Sequence, residues 1–176
     1  QRQMCIRDRS SAEHMLPHLR ELSIEKGILM SSGEGNSAVP FGSNDECRQI
    51  AEAFPGIYFW MCNLDDVPEN IFERLETYKN QGAVGIGELM INRSIDDPMI
   101  QEIFAAAETL SLPVLFHMSP EVGYEYGIVD DAGLPLLEES LKKYPNLKFI
   151  GHSQPFWHEI SGDASGDLSS RMEWGK

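Results

Sequence analysis

Basic residues are scarce in this chain. Its 176 residues include 14 Lys and Arg against 28 Asp and Glu, which gives a net charge of −14. Proteins that bind nucleic acid or an anionic membrane surface use clustered Lys and Arg to hold the phosphates. No apolar run approaches the roughly 20 residues that a membrane-spanning helix needs. The composition therefore argues against a nucleic-acid partner and against a membrane partner.

Cysteine is equally sparse. Cys5, Cys47 and Cys62 are the three cysteines, and no two of them form a Cys-x-x-Cys pair. An odd and scattered set is typical of neither a disulfide scaffold nor a zinc knuckle. We expect reduced thiols and therefore a cytoplasmic protein.

Glycine motifs that bind phosphate are incomplete. Gly85-Ile86-Gly87 lacks the third glycine of a dinucleotide fingerprint, because Met90 stands at that position. Gly33-Glu34-Gly35 is not followed by Lys-Ser or Lys-Thr, as a phosphate loop would be. These absences argue against a Rossmann fold and against a P-loop.

Residues 1–10 differ from the rest of the chain. They are basic in an acidic protein and have no apolar periodicity, and they resemble a translated adaptor sequence. We therefore predict a non-native leader over residues 1–10 and one domain over residues 11–176, as the length also favours.

A helix-then-strand pattern repeats along residues 11–176. Apolar residues spaced i, i+3 and i+4 predict helices, and short apolar runs between turn residues predict strands. The predicted helices are 11–26, 44–54, 68–82, 97–110 and 134–144, and the predicted strands are 28–30, 57–62, 83–88, 113–117 and 147–152. Asn44 or Asp45 is predicted to cap the second helix, and Pro68 to open the third. Strands apolar on both faces favour a parallel sheet covered by helices.

The last three predicted strands each end in a side chain that can bind a metal, namely Glu88, His117 and His152. The ends of successive parallel strands meet at one rim of the sheet, where such folds keep their chemistry. Side chains alternate along a strand, so an inward Glu88 predicts an inward Ile86. Two imidazoles and a carboxylate suit Zn²⁺ or a similar divalent ion. The alternative is that all three are ordinary polar strand ends.

Other candidates are weaker. His14 and His18 are one helical turn apart but have no partner motif, so we expect a solvated helix face. Residues 153–158 are expected to form a loop, in which Trp157 and His158 are candidate substrate contacts. The loop aromatics Tyr124, Tyr126, Phe156 and Trp157 form either a pocket wall or simple loop packing.

Three motifs follow one another in the order of a known family: Gly85-Ile86-Gly87-Glu88 with Asp97-Pro98 downstream, then residues 112–117, then residues 144–152. In this order and spacing the chain resembles the amidohydrolase superfamily, specifically its amidohydrolase-related branch. The resemblance implies a TIM-type (β/α)₈ barrel with one or two divalent metals. This chain would form a partial barrel of five parallel strands alternating with helices.

The resemblance also implies roles for individual residues. His117 is similar to the metal-binding or catalytic histidine after the fifth barrel strand, and His152 to the one after the sixth. Glu88 stands where some members place a metal ligand after the fourth strand. The implied activity is hydrolysis of an amide, ester or lactone-like bond in a small molecule. The alternatives are a decarboxylase of the aminocarboxymuconate-semialdehyde type, a TatD-like nuclease, which the acidic balance disfavours, and a non-catalytic α/β module.

Two family features are absent from the chain. The His-x-His motif of the first barrel strand and the Asp after the eighth are not found. A complete barrel of this kind has about 250 residues. We therefore expect a fragment of a longer enzyme, with barrel strands 2–6 and without strands 1, 7 and 8.

An open arc of strands leaves unpaired edges and an incomplete ligand set. We therefore predict that the isolated chain has weak metal affinity or poor solubility. Zinc titration and size-exclusion chromatography check this. Tight stoichiometric zinc binding by a monomer that melts cooperatively would contradict it.

Overall fold

Helices and strands alternate along the part of the chain that the computed structural model describes, which is residues 12–35 and 42–161. The predicted leader at residues 1–10 lies outside these ranges. The helices are α1 (Ala12–Glu21), α2 (Asn44–Ala53), α3 (Ile71–Asn80), α4 (Pro98–Leu110), α5 (Pro135–Lys143) and α6 (Gln154–Ile160), and the strands are β1 (Gly27–Met30), β2 (Tyr58–Met61), β3 (Ile86–Leu89), β4 (Val114–His117) and β5 (Phe149–His152). None of these helices has the length and apolar character needed to cross a bilayer.

The helix starts follow local hydrogen bonding. Asp97 caps α4 by accepting a bond from the Met99 amide, as the Asp-Pro pair predicts. The cap of α2 is Ser43, which forms a capping box with Glu46, so the prediction of Asn44 or Asp45 was wrong. The Asn44 side chain instead bonds to a distant loop, which sequence spacing does not reveal.

Two further local predictions need correction. Helix α3 begins at Ile71, not at Pro68. The expected loop at residues 153–158 is largely helix α6, with Pro155 in its first turn. The Phe156 ring of α6 packs against Phe116, with centroids 5.7 Å apart, and lies directly over Gly151, where a Cβ would meet it. Tertiary packing therefore stabilises a helix too short to show a periodic apolar pattern.

All strands pair in parallel. β1 pairs with β2, and β3, β4 and β5 form a second sheet in chain order. The two sheets are joined by backbone bonds: Cys62 N donates to Gly85 O at 2.9 Å, and Gly87 N donates to Cys62 O at 2.8 Å. The described strands thus form one arc in sequence order and do not close into a barrel.

The two faces of the arc differ in burial. The face towards α3 and α4 holds the core, and its largest fully buried side chains include Ile71, Leu75, Ile100, Ile103, Phe104 and Phe116. On the other face, Ile28 is 56% exposed and Ile150 is 39% exposed. That face corresponds to the interior of a closed barrel.

A charged cluster connects the loop after β1 to α3. The Glu34 carboxylate forms an ion pair with Arg74 and accepts a hydrogen bond from Tyr78 Oη at 2.8 Å. The Glu34 amide donates to Asp65 Oδ1 at 2.8 Å. Burial alone would raise the pKa of Glu34, but the bonds from Arg74, Tyr78 and the Asp65 amide outweigh it and lower that pKa.

We predict that Glu34→Gln lowers the free energy of unfolding by about 1–3 kcal/mol at neutral pH, because charge-assisted bonds in a half-buried site are lost. The pKa of Glu34 is lower in the folded than in the unfolded state. The stabilisation by Glu34 is therefore present above its ordinary pKa of 4.5 and is lost as the pH falls through the lowered pKa of the folded state.

Urea unfolding of the wild type and Glu34→Gln, between neutral pH and about pH 3, measures the difference in their free energies of unfolding. Glu76→Gln is the matched control, because Glu76 is exposed on α3, the helix that carries Arg74 and Tyr78. If Glu34→Gln lowers the free energy of unfolding as much at pH 3 as at neutral pH, the stabilisation does not come from the charge of Glu34.

Candidate metal centre

The three predicted strand-end side chains meet at one rim of the arc. His117 Nδ1 lies 2.5 Å from Glu88 Oε1, and His152 Nε2 lies 3.4 Å from the same oxygen. One donor atom from each residue lies within 4.8 Å of the other two. Among residues 12–35 and 42–161 this is the one group of three or more His, Cys, Asp or Glu side chains with such spacing.

Strand register places the two imidazoles next to each other. β4 and β5 pair without interruption, so His117 is the direct partner of His152, and the ring centroids are 5.6 Å apart. Paired residues of neighbouring parallel strands lie on the same face of the sheet. Leu115 and Ile150, two residues earlier in each strand, are also partners, as the alternation predicts.

An extra residue in β3 places Glu88 on the same rim. Ile86 pairs with Val114 and Leu89 pairs with Phe116, so three steps along β3 match two steps along β4. Such a bulge changes the face on which the following side chain lies. Ile86 is therefore fully buried with the helix layer, and the prediction that it shares the inward face of Glu88 was wrong.

The three side chains are shielded to different degrees. The side chains of Glu88, His117 and His152 are 10%, 15% and 29% exposed, respectively. The carboxylate is thus the deepest group, and His152 is the most accessible from solvent. A buried carboxylate needs partners, and the two imidazoles supply them.

A buried asparagine, absent from the sequence-based candidates, supports the main chain of Glu88. Asn63 Nδ2 donates to Glu88 O at 2.5 Å and to Ser31 O at 3.3 Å. The backbone of Asn63 is itself held by the Asn44 carboxamide, through two bonds of 2.9 Å. Asn63 lies just after β2, so a polar residue following an apolar strand was the available signal.

The remaining candidates lie elsewhere. Trp157 is 59% exposed and His158 is half-buried on α6, and their contact with substrate stays a prediction. His14 and His18 are exposed on α1 and do not belong to the group of three. Tyr126 lies against His117, with ring centroids 4.6 Å apart.

The donor set fits a divalent ion. Imidazole nitrogens and a carboxylate oxygen are common zinc ligands, and a catalytic site uses about three protein ligands. The partial exposure of His152 leaves the site open on one side. Glu88, His117 and His152 are therefore the residues of the described chain that would hold a metal.

A comparison with protein families identifies the family to which the chain with this site belongs. The family model for amidohydrolases matches residues 36–175, which includes all three side chains. The chain belongs to the amidohydrolase family. Amidohydrolases are enzymes and are typically metal-dependent, in agreement with the resemblance seen in the motifs. No curated protein matched this chain.

Solved structures show the same fold. A TIM-barrel protein from Bordetella bronchiseptica aligns with a TM-score of 0.53 and 15% identity, over 94% of this chain and 62% of that chain. The 4-oxalomesaconate hydratase of Rhodopseudomonas palustris aligns with a TM-score of 0.51 and 18% identity, over 79% of this chain and 47% of that chain.

A probable 2-pyrone-4,6-dicarboxylic acid hydrolase from Acinetobacter baumannii, with citric acid bound, gives a TM-score of 0.49 and 16% identity, over 81% of this chain and 59% of that chain. This amidohydrolase chain thus spans about half to three-fifths of the length of these structures. The predicted barrel-type α/β fold is confirmed, with five parallel strands alternating with helices.

We predict that Asn63→Ala lowers the free energy of unfolding by about 2–3 kcal/mol, because the Glu88 carbonyl loses a donor and the Leu64 amide loses its acceptor in a buried site. Asn63→Asp keeps the acceptor but not the donor, so we expect a loss of similar size. Urea denaturation measures both variants. Asn80→Ala, exposed at the end of α3, serves as the control, and equal stability of Asn63→Ala and this control would refute the prediction.

Proposed function

We propose that this chain contains the central part of the active site of a metal-dependent hydrolase of the amidohydrolase-related type. Its substrate would be a small molecule with an amide, ester or lactone-like bond. The observation that supports this most directly is the convergence of Glu88, His117 and His152 within 4.8 Å at the ends of three consecutive strands. We propose that the enzyme is a longer parent protein, because the chain covers 62% of the Bordetella bronchiseptica barrel and 47% of the Rhodopseudomonas palustris hydratase.

In this proposal Glu88, His117 and His152 hold the metal, with Zn²⁺ as the expected ion. A divalent ion held by these residues would supply Lewis-acid chemistry, namely the activation of water and the polarisation of a carbonyl group. The chain's own residues position the substrate and transfer protons to and from it. Without metal, His117 Nδ1 and Glu88 Oε1 are at hydrogen-bond distance and can share a proton, which metal binding at these atoms would release.

His152 is the most accessible of the three side chains, and if it acts as acid and base instead of binding the metal, it is our candidate for proton transfer to and from a substrate. Trp157 and His158 follow it on α6, within two turns of the rim. We propose that they contact the part of the substrate that does not react. The cytoplasmic location expected from the cysteine pattern stays a prediction.

A metal titration tests the proposal. We expect Zn²⁺ or Co²⁺ to bind the wild-type chain at one site, weakly, since part of the family's ligand set is absent. Glu88→Gln, His117→Asn and His152→Asn should each weaken binding by at least about tenfold, because even the outer partners of metal ligands contribute about 10- to 100-fold. Calorimetry and the visible absorption of Co²⁺ measure the effect.

His14→Asn is the matched control, since His14 is an exposed histidine outside the group. Its affinity should equal that of the wild type. A wild-type chain that binds no divalent ion, or four variants with equal affinity, would overturn the assignment. Metal-loaded protein assayed with small esters, lactones and amides then tests the reaction, since hydrolysis gives an acid whereas decarboxylation releases CO₂.

A further inference from the structure

The segment of residues 119–128, called here the β4 loop, leaves the strand that ends in His117 and returns to the same point. Ile128 N donates to His117 O at 2.8 Å, and Ser119 N donates to Ile128 O at 2.9 Å. These bonds close the base of the loop directly beside the candidate metal centre. The position of the loop is thus fixed relative to His117.

One residue of the β4 loop packs on the His117 ring. The centroids of Tyr126 and His117 are 4.6 Å apart, and their planes are inclined at 55°. The next residue, Gly127, approaches so closely that a Cβ would lie 3.0 Å from His117 Cδ2. Tyr126 as a whole residue is only half-buried.

A side chain from a different loop holds the β4 loop in place. Asn92, which follows β3, donates through Nδ2 to Gly127 O at 2.9 Å and to Glu121 O at 3.2 Å. Its Oδ1 accepts from Gly123 N at 2.6 Å. Gly127 N also donates to Met90 O at 2.7 Å. Asn92 therefore uses both ends of its carboxamide to fix the residues on either side of Tyr126.

We propose that Tyr126 is a specificity-determining wall of the substrate site beside His117, and that Asn92 is the positioning residue that holds it there. The proposal rests on the proposed function, because it takes His117 as part of the reacting centre. The Tyr126 ring lies next to the His117 ring at an angle of 55°, so a substrate group that reaches the imidazole would pass beside Tyr126. Aromatic faces prefer flat partners in offset or edge contact, so the part of the substrate that meets Tyr126 is a planar group.

The placement of Tyr126 is tested without metal. Ring protons of His117 that lie near an aromatic ring are shifted in the ¹H–¹³C spectrum. We expect Tyr126→Phe to keep the wild-type shifts, because the ring remains. Tyr126→Leu and Asn92→Ala should lose them, the first by removing the ring and the second by releasing the loop. Far-UV circular dichroism confirms that each variant is folded.

Unchanged His117 shifts in Tyr126→Leu would overturn the contact, and unchanged shifts in Asn92→Ala would overturn the positioning role. Asn80→Ala is the control for a surface asparagine without such bonds. A residue with a merely structural role would change stability without moving the His117 signals.

Selectivity is tested with two probes of equal charge, benzoate and cyclohexanecarboxylate, at saturating zinc. The wild type should prefer flat benzoate by about three- to tenfold, the range expected for one aromatic contact. Tyr126→Phe should keep this preference, whereas Tyr126→Leu and Asn92→Ala should lose it. Equal preference in the wild type and Tyr126→Leu would overturn the role of Tyr126 in selecting a planar group. A chain that binds no zinc contradicts the proposed function instead, and the His117 signals then decide the placement of Tyr126 alone.

Discussion

Backbone hydrogen bonds hold β4 and β5 in register, so that His117 and His152 are direct partners at the ends of two neighbouring strands. The candidate centre depends on this pairing, because a shift by one residue would turn one imidazole to the helix side of the sheet. Glu88 reaches the same rim through the extra residue in β3. The site is therefore a product of backbone geometry, and the helix layer stabilises it by burying the opposite face of the same strands.

Beneath the rim, buried polar side chains bond to the main chain at the strand ends. Asn63 joins the carbonyls of Ser31 and Glu88, and the Asn44 carboxamide holds the backbone of Asn63 in turn. Buried amides are costly unless every donor and acceptor is used, and this arrangement uses both ends of the Asn63 carboxamide. Such a network fixes the ends of β1, β2 and β3 relative to one another, which is what a metal site requires of its support.

Charged residues connect the loops of the rim in the same way. Arg74 on α3 pairs with Glu34 in the loop after β1. Arg93 pairs with its neighbour Asp97 and with Asp66 in the loop after β2. Basic residues are few in this acidic chain, and these two form ion pairs within the chain. The inner face of the arc differs: apolar side chains such as Ile28 remain exposed among the described residues, although a closed barrel would cover them. The charged side chains at the rim thus have partners within the described chain, whereas apolar side chains on the inner face remain exposed.

Sequence alone determined which residues could form the site and in which class of fold. The alternation of apolar runs and helical stripes predicted the five strands, and Glu88, His117 and His152 stood out because each follows an apolar run. Only the tertiary structure decided the faces on which Ile86 and Glu88 lie, that residues 154–160 form a helix, and that Asn63 supports the site. It also decided that Tyr126, one of the four candidate loop aromatics, lies against His117. Periodicity reports burial along one segment, whereas register, bulges and side-chain contacts arise from hydrogen bonds and packing between segments far apart in the chain. That is why the ligand candidates could be predicted from the sequence and their supporting residues could not.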